Sequence, residues 1–185
     1  MMGEVRHEGP EPIYFTRHPL GCMLTVVKRT PSAIERELKQ TRPFGNRRQE
    51  AAVGLMRTAD LLRRLLEQAL EPKGITAQQF NVLRILRGAR PEPLPTLEIA
   101  ERMIERTPGI TGLLDRLEAK KLVRRDRCES DRRQVLCSIT AAGLELLRGV
   151  DAVVNDVESQ SLGRLSDVQT RQLIRLLDAI REGHS

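Results

Sequence analysis

Residues 107–140 run TPGITGLLDRLEAKKLVRRDRCESDRRQVLCSIT. The first part has helical spacing: Ile110, Leu113, Leu114 and Leu117 recur at intervals of three and four and share one face. Thr107 reads as the helix cap and Pro108 as its first residue. Thr107, Gly109, Thr111, Gly112 and Arg116 then fall on the opposite, outward face. Beyond the helix, residues 122–128 and 134–140 read as two strands, with Val135, Cys137 and Ile139 alternating inward on the second. Residues 129–133, with Asp131, Arg132 and Arg133, form the turn between them.

Working upstream, Thr96 reads as the cap of a helix over 97–104, with Leu97, Ile99, Ala100 and Met103 turned inward and a tight turn at 104–106. Two short helices joined by a tight turn fit a helix-turn-helix, and they also fit an ordinary helical hairpin. The basic hairpin that follows favours the first reading, because a basic strand pair placed directly after a helix-turn-helix is a wing. Small residues at the start of the second helix let backbone approach DNA, so Thr107, Thr111 and Arg116 are expected in the major groove. Arg125, Arg127, Arg132 and Arg133 are expected on phosphates and in the narrow minor groove. Asp131 is expected to orient a wing arginine through a charge-assisted pair.

Further out, Thr76-Ala77-Gln78-Gln79 is a capping box that opens a helix through Leu86, with Phe80, Leu83 and Leu86 inward. Residues 47–72 read as a long amphipathic helix with Leu55, Ala59, Leu62, Leu66 and Ala69 on one stripe, ended by Gly74. Downstream, Thr140 caps a helix bearing Leu144, Leu147, Val150, Val154 and Val157. Ser166-Asp167-Val168-Gln169 is a capping box that opens a last helix bearing Leu173, Leu176, Leu177 and Ile180. Residues 1–31 carry four prolines and no apolar period, so an N-terminal arm over 1–46 is expected to be partly disordered, with a short helix within 32–40. Met23 is a candidate internal start.

Composition agrees with a helical chain. Of 185 residues only 2% are aromatic (Tyr14, Phe15, Phe44 and Phe80), so the core must come from Leu, Ile, Val and Ala rather than from the residues all-β proteins favour. The net charge is +6, and it is unevenly spread: residues 51–140 carry 17 basic against 12 acidic side chains, whereas 141–185 carry 5 against 7. That balance suits an anionic partner for the middle of the chain. The three histidines (His7, His18 and His184) lie near the ends, which argues against His-assisted catalysis and His-rich metal sites. No phosphate-binding glycine motif occurs, and no cofactor, metal or catalytic residue is expected. Three scattered cysteines fit a reducing cytoplasm rather than a disulfide scaffold. No run is long and apolar enough for a membrane span, and Glu4, Glu8 and Glu11 interrupt any secretion signal.

Taken together, ITAQQFNVLRIL, LEIAERM and the quoted stretch resemble the MarR family of transcriptional regulators. The family's wing pattern, Asp-x-Arg followed after five residues by Leu-Thr, stands here as Asp131-Arg132-Arg133 and Ile139-Thr140. Its Asp-Arg-Leu stands as Asp115-Arg116-Leu117. The resemblance covers about residues 47–182. It implies a mainly α fold with a small β wing: a winged helix-turn-helix DNA-binding domain over 76–140, and a helical dimerisation region over 47–75 and 141–182. It further implies a homodimer on a near-palindromic operator in double-stranded DNA, with half-sites about 34–36 Å apart. A small-molecule effector and action as a repressor go with it. The same apolar stripes would also serve a monomeric bundle, and a winged helix can also serve as a protein-interaction module without an operator.

Three departures from the pattern carry consequences. Gly112 replaces an arginine common after the recognition-helix Thr, and Gly109 replaces a longer polar residue, so weak base readout is expected from this helix. Lys121 replaces the glycine that usually ends it, and is strained if its φ is positive. Residues 47–72 hold no cysteine, where the redox-sensing branch of the family keeps its reactive thiol, so thiol sensing is not expected. A pocket between the dimerisation helices and the winged helix is expected to be lined mostly by aliphatic and Arg side chains.

Overall fold

The structure is a computed structural model that describes residues 29–105, 109–128, 131 and 133–183. The chain divides into two compact units, residues 1–59 and 60–185, with the boundary inside one helix.

In the first unit, α1 (Ala33–Glu37) is opened by a capping box in which Ser32 and Glu35 satisfy each other's backbone N–H groups. Glu35 is only 3% exposed, yet it is well partnered. It accepts from Ser32 N at 2.8 Å, Arg29 Nη1 at 3.0 Å and Phe44 N at 3.3 Å. The hydrogen bonds to the Ser32 and Phe44 backbone and the Arg29 charge hold its carboxyl below the usual carboxylate range against the opposing effect of burial. The start of α2 (Arg47–Leu70) is capped by Asn46, whose Oδ1 accepts from Gln49 N at 2.9 Å. Arg57 Nε meets Glu37 at 2.7 Å, so residues 29–46, expected to be a loose arm apart from a short helix, are tied to α2 by side-chain contacts.

In the second unit, α2 ends in a 3-10 turn at Glu71–Lys73, and Gly74 reverses the chain at φ +68°, a conformation that favours glycine. The elements that follow are α3 (Ala77–Ala89), β1 (Leu94–Pro95), α4 (Thr96–Arg102), α5 (Ile110–Ala119), β2 (Val123–Arg127), β3 (Val135–Ile139), α6 (Ala141–Leu162) and α7 (Asp167–Glu182). The three strands form an antiparallel sheet in the order β1-β3-β2. The described residues are therefore mostly helical, with a small sheet.

The core is aliphatic, as the composition required. Leu83 and Leu86 of α3, Ile99 of α4, Leu113, Leu114 and Leu117 of α5, and Leu147 and Val150 of α6 are all buried. Each contributes about 1.5–3 kcal/mol on burial. Arg87 meets Asp151 at 2.7 Å and links α3 to α6. The predicted caps at Thr76, Thr140 and Ser166 are all present.

Three local expectations change, and one left open is narrowed. Thr96 does not cap α4; Pro95 holds that place, and the Thr96 hydroxyl instead donates to the Val135 carbonyl at 3.3 Å. The reason is β1, an unexpected two-residue strand that draws the start of α4 against β3. Leu97 is 71% exposed rather than inward, and α4 stops at Arg102, leaving Ile104 81% exposed. The stripes on α2 and α7 are not absorbed within one chain: α7 has no buried residue, and Leu55, Met56, Leu61, Ile174, Leu176 and Ile180 are exposed.

Candidate nucleic-acid interface

Helix α5 is positioned from both ends. At its start, Ile104 N donates to Asn81 Oδ1 at 2.9 Å and fixes the turn after α4. The helix begins at Ile110 with Gly109 in the cap position, two residues later than expected, and no side chain caps it. Thr107, expected to cap it and to reach DNA, lies outside the described residues, as does Arg132. At the other end, Leu122 N donates to Leu117 O at 3.0 Å and Lys121 N to Glu118 O at 2.7 Å. This is a Schellman closure with the C′ residue left-handed. That residue is Lys121, at φ +59°.

The closure is locked to α6. Thr140 Oγ1 donates to Lys121 O at 2.8 Å, and Thr140 N donates to Leu122 O at 3.1 Å. Gly143 then packs so closely that a Cβ there would lie 2.4 Å from Leu122 O and 2.7 Å from Ile139 Cγ1. Its glycine is required by the approach of backbone rather than by a turn.

The outward face of α5 carries Thr111 and Arg116, both exposed. A Cβ at Gly109 would meet nothing within 4 Å, and one at Gly112 would meet only the Arg116 guanidinium at 3.7 Å. Neither glycine is demanded by packing among the described residues. Arg116 also faces a groove of about 670 Å³ between the end of α2 and α5, with Arg64, Glu67, Glu71 and Lys120 in its walls. Most residues in its walls are charged or polar, with Ile75 the one large aliphatic side chain, where mostly aliphatic and Arg side chains were expected. Lys120 Nζ donates to the Gly74 carbonyl at its edge.

The wing is built on a register that pairs Val123 with Ile139, Arg125 with Cys137 and Arg127 with Val135. Arg127 and Arg133 are exposed and enter no ion pair with another described residue. Arg125 behaves differently. Its side chain is only 21% exposed and is turned onto α5, where it pairs with Asp115 and lies 3.7 Å from Glu118. The Asp115 hydrogen bond pushes its pKa up, so it stays charged throughout. The described partners of Asp131 are not arginine side chains. Among the described residues it holds the turn itself, accepting from Arg133 N at 3.0 Å and Gln134 Nε2 at 3.2 Å, and not a guanidinium. An aspartate bonding the backbone two residues on is the usual turn-forming use of this side chain.

A MarR family model matches residues 75–135. A MarR transcription factor from Planctomyces limnophilus is 38% identical over 74% of this chain and 99% of its own, with a TM-score of 0.58. The chain belongs to the MarR family. A mutant MarR from E. coli, solved in complex with operator DNA, is 26% identical over 75% of this chain and 99% of its own, with a TM-score of 0.67. BpsR of Bordetella bronchiseptica, solved in connection with regulation of its DNA binding by 6-hydroxynicotinic acid, shares the fold at 22% identity and a TM-score of 0.65. It is covered over 98% of its length by 71% of this chain.

Within this MarR-family fold, α4 and α5 are the helix-turn-helix and β2–β3 the wing. Of the arginines expected at this surface, Arg116, Arg127 and Arg133 are exposed, and sequence reasoning missed Asp115 and Glu118 as partners of Arg125. The available signal was their spacing of three, which sets both carboxylates on one side of α5. Cys137 is buried, and burial pushes its thiol pKa up, away from the reactive thiolate. Among the described residues no helix is long and apolar enough to cross a membrane, and no group of three metal-ligating side chains forms.

Proposed function

We propose that this chain is a cytoplasmic, ligand-responsive repressor that binds a near-palindromic operator as a homodimer. The carrying observation is a cationic surface that no described residue neutralises. Arg116 on α5 and Arg127 and Arg133 on the wing are exposed and unpaired among the described residues. Phosphate contacts need free cations of this kind, and helix and wing are the two parts that reach adjacent grooves. Residues 76–140 form the DNA-binding domain in this reading, with Thr107, Thr111 and Arg116 in the major groove and Arg127, Arg132 and Arg133 on phosphates and the minor groove.

Residues 47–75 and 141–182 form the dimerisation region. The exposed Leu176 and Ile180 of α7 and Leu61 of α2 support it, because apolar side chains in such numbers call for a covering surface. A small effector entering the groove beside Arg116 would meet a residue that also serves DNA.

Selection of bound fragments from the source genome tests the reading. The expected result is a near-palindromic duplex with half-site centres about one turn, or 34–36 Å, apart. Its affinity should fall steeply with salt, by a slope of about 0.9 per phosphate contacted. No enriched duplex, or a flat salt response, would leave the winged helix as a protein-interaction module instead.

A further inference from the structure

Among the described wing arginines, Arg124 pairs within its own strand, with Asp126, whereas Arg125 pairs across to the recognition helix. It sits mid-strand on β2 opposite the buried Cys137, on the strand face it shares with buried Val123. Its guanidinium turns away from the wing tip and engages Asp115 and Glu118, one turn apart on α5. Asp115 is the neighbour of Arg116, and Glu118 supplies the carbonyl that Lys121 N uses to close the helix. One side chain therefore joins the wing strand to the last turns of the helix whose outward face carries Arg116.

We propose that Arg125 is a positioning residue: it clamps the wing to the recognition helix and sets the angle between them, and it makes no phosphate contact of its own. This rests on the DNA-binding reading above. The physical case is that a phosphate contact requires a free cation, whereas this one is already paired with two carboxylates and largely withdrawn from solvent. Exposed Arg127 and Arg133 have no such competitor among the described residues. Two grooves are read together only if helix and wing hold a fixed relative pose, and a charge-assisted bridge across their junction supplies that constraint.

The two roles differ in salt dependence and in the sign of one variant. The probes are the duplex recovered from the genomic selection and a scrambled duplex of the same composition. Arg125→Gln should weaken binding to the recovered duplex about five- to tenfold. It should leave the salt slope and the scrambled-duplex affinity unchanged. Arg133→Gln, by contrast, should lower the slope by about 1. Asp115→Asn is the second arm, and stands if Arg125→Gln fails to fold. Removing an acid from a DNA-facing helix should tighten binding to a polyanion if charge alone matters, and the clamp requires it to weaken operator binding. The charge swap Arg125→Asp with Asp115→Arg keeps net charge constant and should restore most of the wild-type affinity.

A slope lowered by about 1 in Arg125→Gln with equal loss on both duplexes would make Arg125 a phosphate contact and overturn the proposal. So would tighter binding by Asp115→Asn, or a swap no better than either single variant. If wild type binds neither duplex, the DNA reading itself fails, and that case is recognisable because every variant then matches wild type.

Discussion

Lys121 sits at φ +59°, where a side chain costs roughly 1 kcal/mol relative to glycine. Lys121→Gly should therefore raise the melting temperature by about 3 °C. An unchanged melting curve would show that the backbone is at ease with lysine. Its counterpart in the first unit is Glu35, whose carboxyl is held below the ordinary range by the Ser32 and Phe44 backbone and by Arg29. A depressed folded-state pKa contributes stability that is present above the unfolded value of about 4.3 and is lost as pH falls through the folded value. Stability curves of wild type and Glu35→Gln should run parallel above about pH 5.5 and converge below it. Curves that stay parallel down to the acid transition would remove Glu35 from the acid response. Partners such as Ser32 were readable from their spacing. Those of Arg125 were not, because its contacts with α5 come from folding β2 back onto the helix.

At the scale of elements, the helix-turn-helix and wing were legible because period and capping chemistry are local. Ile110, Leu113, Leu114 and Leu117 share a face by geometry alone. The missed element, β1, is two residues long, follows Pro93 and contains Pro95, and it exists only because β3 offers it an edge. Once formed, it turns Thr96 from an expected cap into a contact with β3. The start of α6 shows the same dependence. Gly143 lies inside a helix, where sequence reading gives glycine only a cost, yet it is the point at which α6 meets the Leu122 carbonyl. Gly143→Ala should destabilise the protein by about 3 kcal/mol, since backbone must move to admit a methyl group. A loss of under about 1 kcal/mol in denaturant unfolding would show that the junction yields easily.

At the scale of the whole molecule, the apolar faces of α2 and α7 and the uneven charge point to a division of labour. The basic excess lies in the middle of the chain, and the helices after it are slightly acidic. If α7 is covered by a second copy, sedimentation should give a dimer. The double variant Leu176→Asp and Ile180→Asp should then sediment as a monomer and lose operator binding together with assembly, because a single winged helix reads one half-site. A dimer that survives both substitutions would place the interface elsewhere.

Sequence by itself determined what depends on neighbours a few residues away: the helical periods, the caps at Thr76, Thr140 and Ser166, the alternation in the wing, the aliphatic core and the cationic middle of the chain. Helix and strand geometry fixes such relations whatever the rest of the chain does. Tertiary structure decided which cations remain free and which are used internally, where two backbones approach too closely for a side chain, and which apolar faces one chain leaves uncovered. Those depend on residues far apart in sequence, such as Arg125 with Asp115 and Gly143 with Leu122, whose proximity arises only when the wing folds back onto the helix and α6 packs beneath it.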